Sequence, residues 1–297
     1  MRMNNCAQIA SPDSVEAPEQ YLARIEAQSD RLTTLCGKGT MVWRSWGSGP
    51  PLVLLHGGYG SWRHWIRTIP TLAKQFRLLV PDLPGLGDSD ELPESPLPED
   101  IADTVRYGLN QIIPTDAPYD VVGFSFGALI GGHMAAKMGA DIRSLTLVGA
   151  GALGLTRPDI PLLKWQSDLP ADELRAIHRK NLSRLMISDP SKIDDLALHI
   201  QQVNTKMARV RSLKFAASDS LLQALRQSSP HYLNAIWGQL DAVAAVHMTE
   251  RFDLLRGIRP DVHLEIIPKA GHWVAYEEAD RFNALLSALL IKRQSNF

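Results

Sequence analysis

The chain has 297 residues, 45% of them hydrophobic and 21% charged, which is enough for one large domain, or for a core domain carrying an insertion. Its 31 Lys and Arg against 32 Asp and Glu leave a formal charge of −1, so there is no electrostatic case for a nucleic-acid or anionic-membrane partner. The two cysteines, Cys6 and Cys36, are too few for a disulfide framework and form no CxxC pair, so they read as ordinary reduced thiols.

The opening MRMNNCAQIASPDS has no apolar stretch, so no signal peptide is expected, and no apolar run approaches the ~18 residues that span a bilayer. The expected location is cytoplasmic. Residues 1–13 are polar and loose. From Val15 to Leu32, the apolar Tyr21, Leu22, Ile25 and Leu32 recur at helical spacing and predict a short amphipathic helix. TMVWRSW from Thr40 reads as a strand and Gly47-Ser48-Gly49-Pro50-Pro51 as a turn. The short apolar runs LVLLH (52–56), RLLVPD (77–82), YDVVGF (119–124), SLTLVG (144–149), HYLNAIWG (231–238) and VHLEIIP (262–268) have the character of strands buried on both faces. Amphipathic segments lie between them, at Trp62–Gln75, Pro98–Ile112, Phe126–Met138 and Met248–Gly257, with a last helix over Glu277–Lys292.

Alternating strands and helices imply an α/β fold with a mostly parallel central sheet flanked by helices. The alternation stops between Gly151 and Pro230, where ADELRAIHRKNLSRLMI and DDLALHIQQVNTKMARVRSLKFAA are helical and no strand is evident. This reads as an inserted helical cap over the carboxyl edge of the sheet, where open α/β sheets bind ligands. The expected organisation is an N-terminal extension with a short helix (1–32), a core from 33–151 and 231–297, and a cap from 152–230. No internal repeat or low-complexity tract is present.

The strongest chemical signal is Gly123-Phe124-Ser125-Phe126-Gly127, which closes one strand and opens a helix. That is the setting of a nucleophile elbow, in which a serine sits on a tight turn with glycines relieving the crowding around it. A serine needs a base, and in this arrangement acid and base follow it in the order Ser, Asp or Glu, His. Gly271-His272-Trp273 follows the strand VHLEIIP, which puts His272 at the same rim as Ser125. His178 and His199 fall in cap helices, His231 and His263 begin strands at the opposite edge, and His247 lies at a loop or helix start. Asp241 follows the strand ending at Gly238 and is the candidate acid. Asp253 lies inside a helix pattern and Asp261 precedes a strand. Glu277 and Glu278 read as helix-start carboxylates, and the loop Gly149-Ala150-Gly151-Ala152 offers no acid. The N–H of Phe126 and that of Gly58, in His56-Gly57-Gly58-Tyr59-Gly60, are the candidate oxyanion donors. That loop lacks the spacing of a phosphate loop. Gly57, Tyr59, Phe124 and Trp273 are the candidate substrate contacts. Asp82-Leu83-Pro84-Gly85-Leu86-Gly87-Asp88-Ser89 reads as a rigid loop supporting the site.

With HGGYGSW, DLPGLGDSD, GFSFGALIGG, WGQLD and AGHW in this order, the chain resembles the α/β-hydrolase superfamily over nearly its whole length. The resemblance implies Ser125 as nucleophile, Asp241 as acid, His272 as base, and Gly58 with Phe126 as oxyanion hole, with no metal or organic cofactor and a small-molecule substrate. Assembly into a homo-oligomer is left open. The tail AGHWVAYEEADRFN is similar to that of the meta-cleavage-product hydrolases, which split carbon–carbon bonds in ring-fission dienoates. That subfamily carries Asn where this chain has Phe124, HGxGPG where this chain has HGGYGS, and a cap arginine for the substrate carboxylate, for which Arg209 and Arg211 are the nearest candidates. A carboxylesterase acting on a small, largely apolar ester is therefore the first expectation, and a C–C hydrolase the second. A non-catalytic ligand-binding relative is the third. Haloalkane dehalogenases and epoxide hydrolases use an aspartate nucleophile, against which Ser125 stands. The cap residues Leu162, Leu163, Trp165, Leu185 and Met186 supply the apolar surface from which a pocket and a cap core would both be drawn.

Overall fold

A computed structural model describes residues 16–93, 96–114, 117–138, 141–166, 168–210, 215, 217–228 and 230–294. Cys6, Arg211 and the polar segment 1–13 lie outside them. The elements in chain order are α1 (Pro18–Glu26), β1 (Asp30–Cys36), β2 (Gly39–Trp46), β3 (Pro51–Leu55), α2 (Ile69–Leu72), β4 (Arg77–Pro81), α3 (Pro98–Ile112), β5 (Tyr119–Phe124), α4 (Phe126–Met138), β6 (Ile142–Val148), α5 (Ala171–Leu185), α6 (Asp195–Met207), α7 (Ser220–Gln227), β7 (Tyr232–Gly238), α8 (Met248–Ile258), β8 (His263–Ile267), α9 (Val274–Glu277) and α10 (Ala279–Gln294).

The eight strands form one sheet in the order β1-β2-β4-β3-β5-β6-β7-β8. The β1–β2 and β2–β4 pairs are antiparallel, and every other pair is parallel. Successive residues of a strand face opposite sides. In β3, Leu52 and Leu54 join one apolar cluster, which also takes up α1, α9 and α10, whereas Val53 and Leu55 join the other, which takes up α3 and α4. The apolar runs of the sequence thus become strands with a core on each side.

Three expectations change. The segment from Val15 to Leu32 is not one helix: α1 ends at Glu26, and Asp30–Cys36 is an edge strand paired only with β2. The helix expected over Trp62–Gln75 is a 3₁₀ turn, Trp62–Trp65, followed by the short α2 with Pro70 in its first turn. Proline has no N–H for an interior helical bond and is tolerated only at a helix start. The C-terminal helix expected over Glu277–Lys292 is split between α9 and α10. Between β6 and β7 the described residues contain α5, α6 and α7 and no strand. Among the described residues no helix is long and apolar enough to cross a membrane.

The topology places the site. From β3 the chain moves outward to β4 and returns to β5 on the other side of β3. Connections therefore diverge at the carboxyl ends of β3 and β5, a crevice of the kind in which α/β sheets bind ligands. The register pairs Leu55 with Gly123, so His56-Gly57-Gly58 and Ser125 leave the sheet side by side.

Candidate active site

Ser125 has a positive φ of 52°, a conformation that costs a non-glycine residue of order 1–3 kcal/mol and persists only where its surroundings impose it. Its N–H donates to Val148 O at 2.8 Å, and its carbonyl accepts the Ala128 N–H at 3.0 Å as α4 begins. The flanking glycines are required by close approach. A Cβ on Gly123 would lie 2.3 Å from Gly127 O, and one on Gly127 would lie 2.2 Å from Leu55 O. The turn therefore lifts the Ser125 hydroxyl off the end of β5.

His272 stands in the loop after β8. Its Nε2 accepts from the Ser125 hydroxyl at 3.0 Å, and its Nδ1–H donates to Asp241 Oδ2 at 2.9 Å. Asp241 is fully buried, and its other oxygen, Oδ1, accepts the N–H groups of Val243 at 2.8 Å and Ala244 at 3.2 Å. Tautomer and carboxylate orientation both follow from these partners. Serine, imidazole and carboxylate thus form one hydrogen-bonded chain, drawn from the loops after β5, β8 and β7. None of His178, His199, His231, His247 and His263 is bonded to Ser125. His199 meets Glu19, His247 meets Glu250, and His263 meets Glu265, while His178 is buried in α5 beside Trp165.

Ser125 opens onto a cavity of about 820 Å³, within the range of small-molecule sites. Gly57, Gly58, Tyr59, Phe124, Phe126 and His272 form its floor, and the five apolar residues Leu162, Leu163, Trp165, Leu185 and Met186 all line it. Trp273 does not. It is buried behind the wall, where its indole N–H donates to His64 O at 2.9 Å and its ring stacks on Tyr276. Its expected contact with substrate is thereby replaced by a contact with the residue in front of it. Among the described residues no group of three His, Cys, Asp or Glu side chains is placed to hold a metal ion.

The supporting loop after β4 is tied in from several sides. Asp82 Oδ1 accepts the Trp62 N–H, and its Oδ2 accepts from Arg44 and from the Asp88 N–H. His56 joins the two loops, its Nδ1–H donating to Gly57 O and its Nε2 accepting the Leu83 N–H. Arg209 is engaged with Ser89 O and Glu91 and does not line the cavity.

Two residues were not singled out by the sequence, and a third has a role different from the one expected. His64 sits in the cavity wall beside Gly57. Only histidines downstream of Ser125 fit the order of a triad, and His64 precedes it. Arg157 lines the cavity with no hydrogen bond or ion pair to any described residue. Burial pushes its guanidinium down and Asp241 pulls it up. Glu277, expected to favour a helix start, instead ends α9 as a buried carboxylate that receives the N–H groups of Gly271, Ser188 and Asp189 and the Ser188 hydroxyl. Ser188 and Asp189 lie too far away in the chain for spacing to reveal them.

Residues 50–279 match the family model described as alpha/beta hydrolase fold. The chain is 26% identical over 287 residues, covering 88% of it and 96% of the relative, to 2-hydroxy-6-oxo-6-phenylhexa-2,4-dienoate hydrolase of Burkholderia cepacia. It is 27% identical over 260 residues, covering 82% of it and 95% of the relative, to pimeloyl-[acyl-carrier protein] methyl ester esterase of Vibrio atlanticus. The structure of a carboxylesterase from Bacillus subtilis superposes with a TM-score of 0.69 at 16% identity, covering 92% of this chain and 95% of that one.

Proposed function

The chain belongs to the alpha/beta hydrolase family, and on that premise we propose that it is a serine hydrolase that cleaves small, largely apolar carboxylic esters through an acyl-enzyme. The observation that carries this reading is the unbroken chain from Ser125 Oγ through His272 to buried Asp241, at the floor of a mainly apolar cavity. In the proposed cycle His272 Nε2 takes the Ser125 proton as Oγ attacks the carbonyl, and Asp241 stabilises the imidazolium. His272 then protonates the leaving alkoxide and activates water for deacylation. The Gly58 and Phe126 N–H groups are the proposed oxyanion donors. Both residues border Ser125 in the cavity, and the neighbouring Gly57 N–H is taken by His64.

Incubation with a fluorophosphonate should label the wild type at Ser125 and leave Ser125→Ala unlabelled. p-Nitrophenyl butyrate turnover should fall by about 10⁴-fold or more in that variant. A wild type that is neither labelled nor active on any activated ester would sink the reading.

Arg157 favours a second one. A guanidinium on the cavity wall that makes no hydrogen bond or ion pair to a described residue, with the exposed Lys164 also lining the cavity and no Asp or Glu among the lining residues, suits a substrate bearing a carboxylate, as a ring-fission dienoate does. Hydrolysis of such a dienoate would bleach its visible absorbance. Bleaching that is lost in Arg157→Met while p-nitrophenyl butyrate turnover persists would favour C–C hydrolysis over simple ester cleavage.

A further inference from the structure

His64 occupies an unusual position for a residue outside the serine–histidine–aspartate chain. It lies in the 3₁₀ turn after β3, it is buried, and it borders the cavity that contains Ser125. The Gly57 N–H donates to its Nδ1 at 3.2 Å. That bond assigns the tautomer: Nδ1 is the acceptor, so in the neutral ring the proton is on Nε2. Nε2 bonds to no described residue, yet it is not among the occluded, unpartnered atoms of the fold. With His64 on the cavity wall, the Nε2–H is open to the cavity.

The ring is held firmly. A Cβ on Gly60 would lie 2.3 Å from His64 Cε1, and one on Gly57 would lie 3.0 Å from the Phe124 ring and 3.4 Å from His64 Nδ1. The two glycines therefore seat the imidazole against the loop. Phe124 meets it edge-on at 5.6 Å, Trp273 packs on it at 5.1 Å, and the Trp273 indole N–H fixes its backbone carbonyl. Burial holds the imidazole well below the ordinary histidine range, and His56 and His272 act in the same direction. A neutral ring suits this place, because His272 lies close enough to act on it and must become cationic during acyl transfer, which a cationic imidazole here would oppose.

We propose that His64 is a substrate-positioning residue: its Nδ1 anchors the Gly57-Gly58 loop, and its Nε2–H donates to an oxygen on the acyl part of the substrate. Phe124 packs against both imidazoles, at 5.1 Å for His272 and 5.6 Å for His64, so a substrate held at Ser125 lies near both. The leaving-group oxygen must lie within reach of His272, which gives it a proton, and the remaining, acyl part is assigned to His64. The preferred substrates are then esters whose acyl chain carries an oxygen acceptor close to the scissile carbonyl. This rests on the serine-hydrolase reading above.

Two esters test it, p-nitrophenyl butyrate and p-nitrophenyl methoxyacetate. They share a leaving group and an acyl length and differ by one methylene replaced with an ether oxygen. The quantity read is the ratio of their kcat/KM values, in which intrinsic reactivity cancels between enzymes. His64→Asn retains an acceptor near the Nδ1 position and loses the Nε2 donor. It should lower the methoxyacetate-to-butyrate ratio about threefold to tenfold, the worth of one neutral hydrogen bond. His64→Gln reaches the Nε2 position with an amide N–H and loses the Gly57 anchor. It should keep the wild-type ratio while kcat falls for both esters. An unchanged ratio in His64→Asn, with Ser125 still labelled by fluorophosphonate, would overturn the role of His64 alone. A wild type that is not labelled would overturn the serine-hydrolase reading beneath it.

Discussion

Asp241 accepts through both carboxylate oxygens, and its surroundings make the two unequal. Oδ1 is committed to the N–H groups of Val243 and Ala244, which leaves Oδ2 to hold the His272 Nδ1–H. An asparagine there would be oriented by the same two backbone donors. Its carbonyl oxygen must take the Oδ1 position, so its NH₂ must face His272. The imidazole would then accept at Nδ1 and carry its proton on Nε2, the tautomer unable to take a proton from Ser125. Asp241→Asn should therefore lower kcat by about 10⁴-fold while leaving the thermal midpoint close to that of the wild type. Stopped-flow hydrolysis of p-nitrophenyl butyrate, paired with a melting curve, checks both halves. A variant retaining a tenth of wild-type activity would show that Asp241 does not set the tautomer. The positions of Ser125, Asp241 and His272 were legible in the sequence because each follows a recognisable apolar strand, and strand ends share a rim in a parallel sheet. Arg157 and His64 were not legible, because both derive their significance from facing a cavity that exists only once the segment after β6 and the turn after β3 have folded over Ser125.

Between elements, the loop bearing His272 is tied to the segment that follows α5. The Trp273 N–H donates to Met186 O at 2.7 Å. On the other side of His272, the Gly271 N–H donates to Glu277 Oε2 at 2.6 Å, and the same carboxylate takes the Ser188 hydroxyl and the Asp189 N–H, each at 2.7 Å. Glu277 is therefore an acceptor-only hub joining the end of α9, the histidine loop and the entry to the 3₁₀ turn at Pro190–Lys192. In Glu277→Gln one oxygen becomes an NH₂ directed at N–H donors, which leaves buried donors unpaired at about 1–3 kcal/mol. The variant should lose about 2 kcal/mol in urea unfolding, and its kcat should fall with little change in KM, since the residue displaced is the proposed base and the apolar wall is left in place. Loss of stability with full kcat would mean that His272 is positioned independently of this hub. Elements that bury an apolar run were readable with near-correct ends, as α3 and β5 show. Those decided by other forces were not. Edge strand β1 has three exposed residues among its first four and one partner strand, so its pattern is too polar to announce a strand. The break before α2 depends on Pro70 within an otherwise helical apolar spacing.

Across the whole molecule, the described helices between β6 and β7 bury apolar residues in the same two clusters as the sheet. Leu182, Met186 and Ile187 at the end of α5 and Leu196, Ala197 and Ile200 on α6 belong to the same apolar cluster as Tyr21, Leu22 and Ile25 of α1, Leu52 and Leu54 of β3, and Phe282 and Leu286 of α10. On the other face, Leu221, Leu222 and Leu225 of α7 join the cluster that contains Val53, Val121 and Leu129. Polar ties cross the same boundary, with Arg67 paired to Asp194 and stacked on Tyr276, whose hydroxyl donates to Asp194. Helices that bury their apolar faces against the sheet's own cores lose those contacts if they leave it, so they cannot separate without exposing both surfaces. Loss of p-nitrophenyl butyrate turnover, tryptophan fluorescence and far-UV circular dichroism should consequently share one midpoint in urea. The seven tryptophans include Trp165 on the segment between β6 and β7 and Trp43, Trp62 and Trp237 in the sheet layers, so fluorescence reports on both. Activity lost well below the concentration that unfolds the sheet would show the segment between β6 and β7 opening alone, and would make the cavity a property of a separable lid.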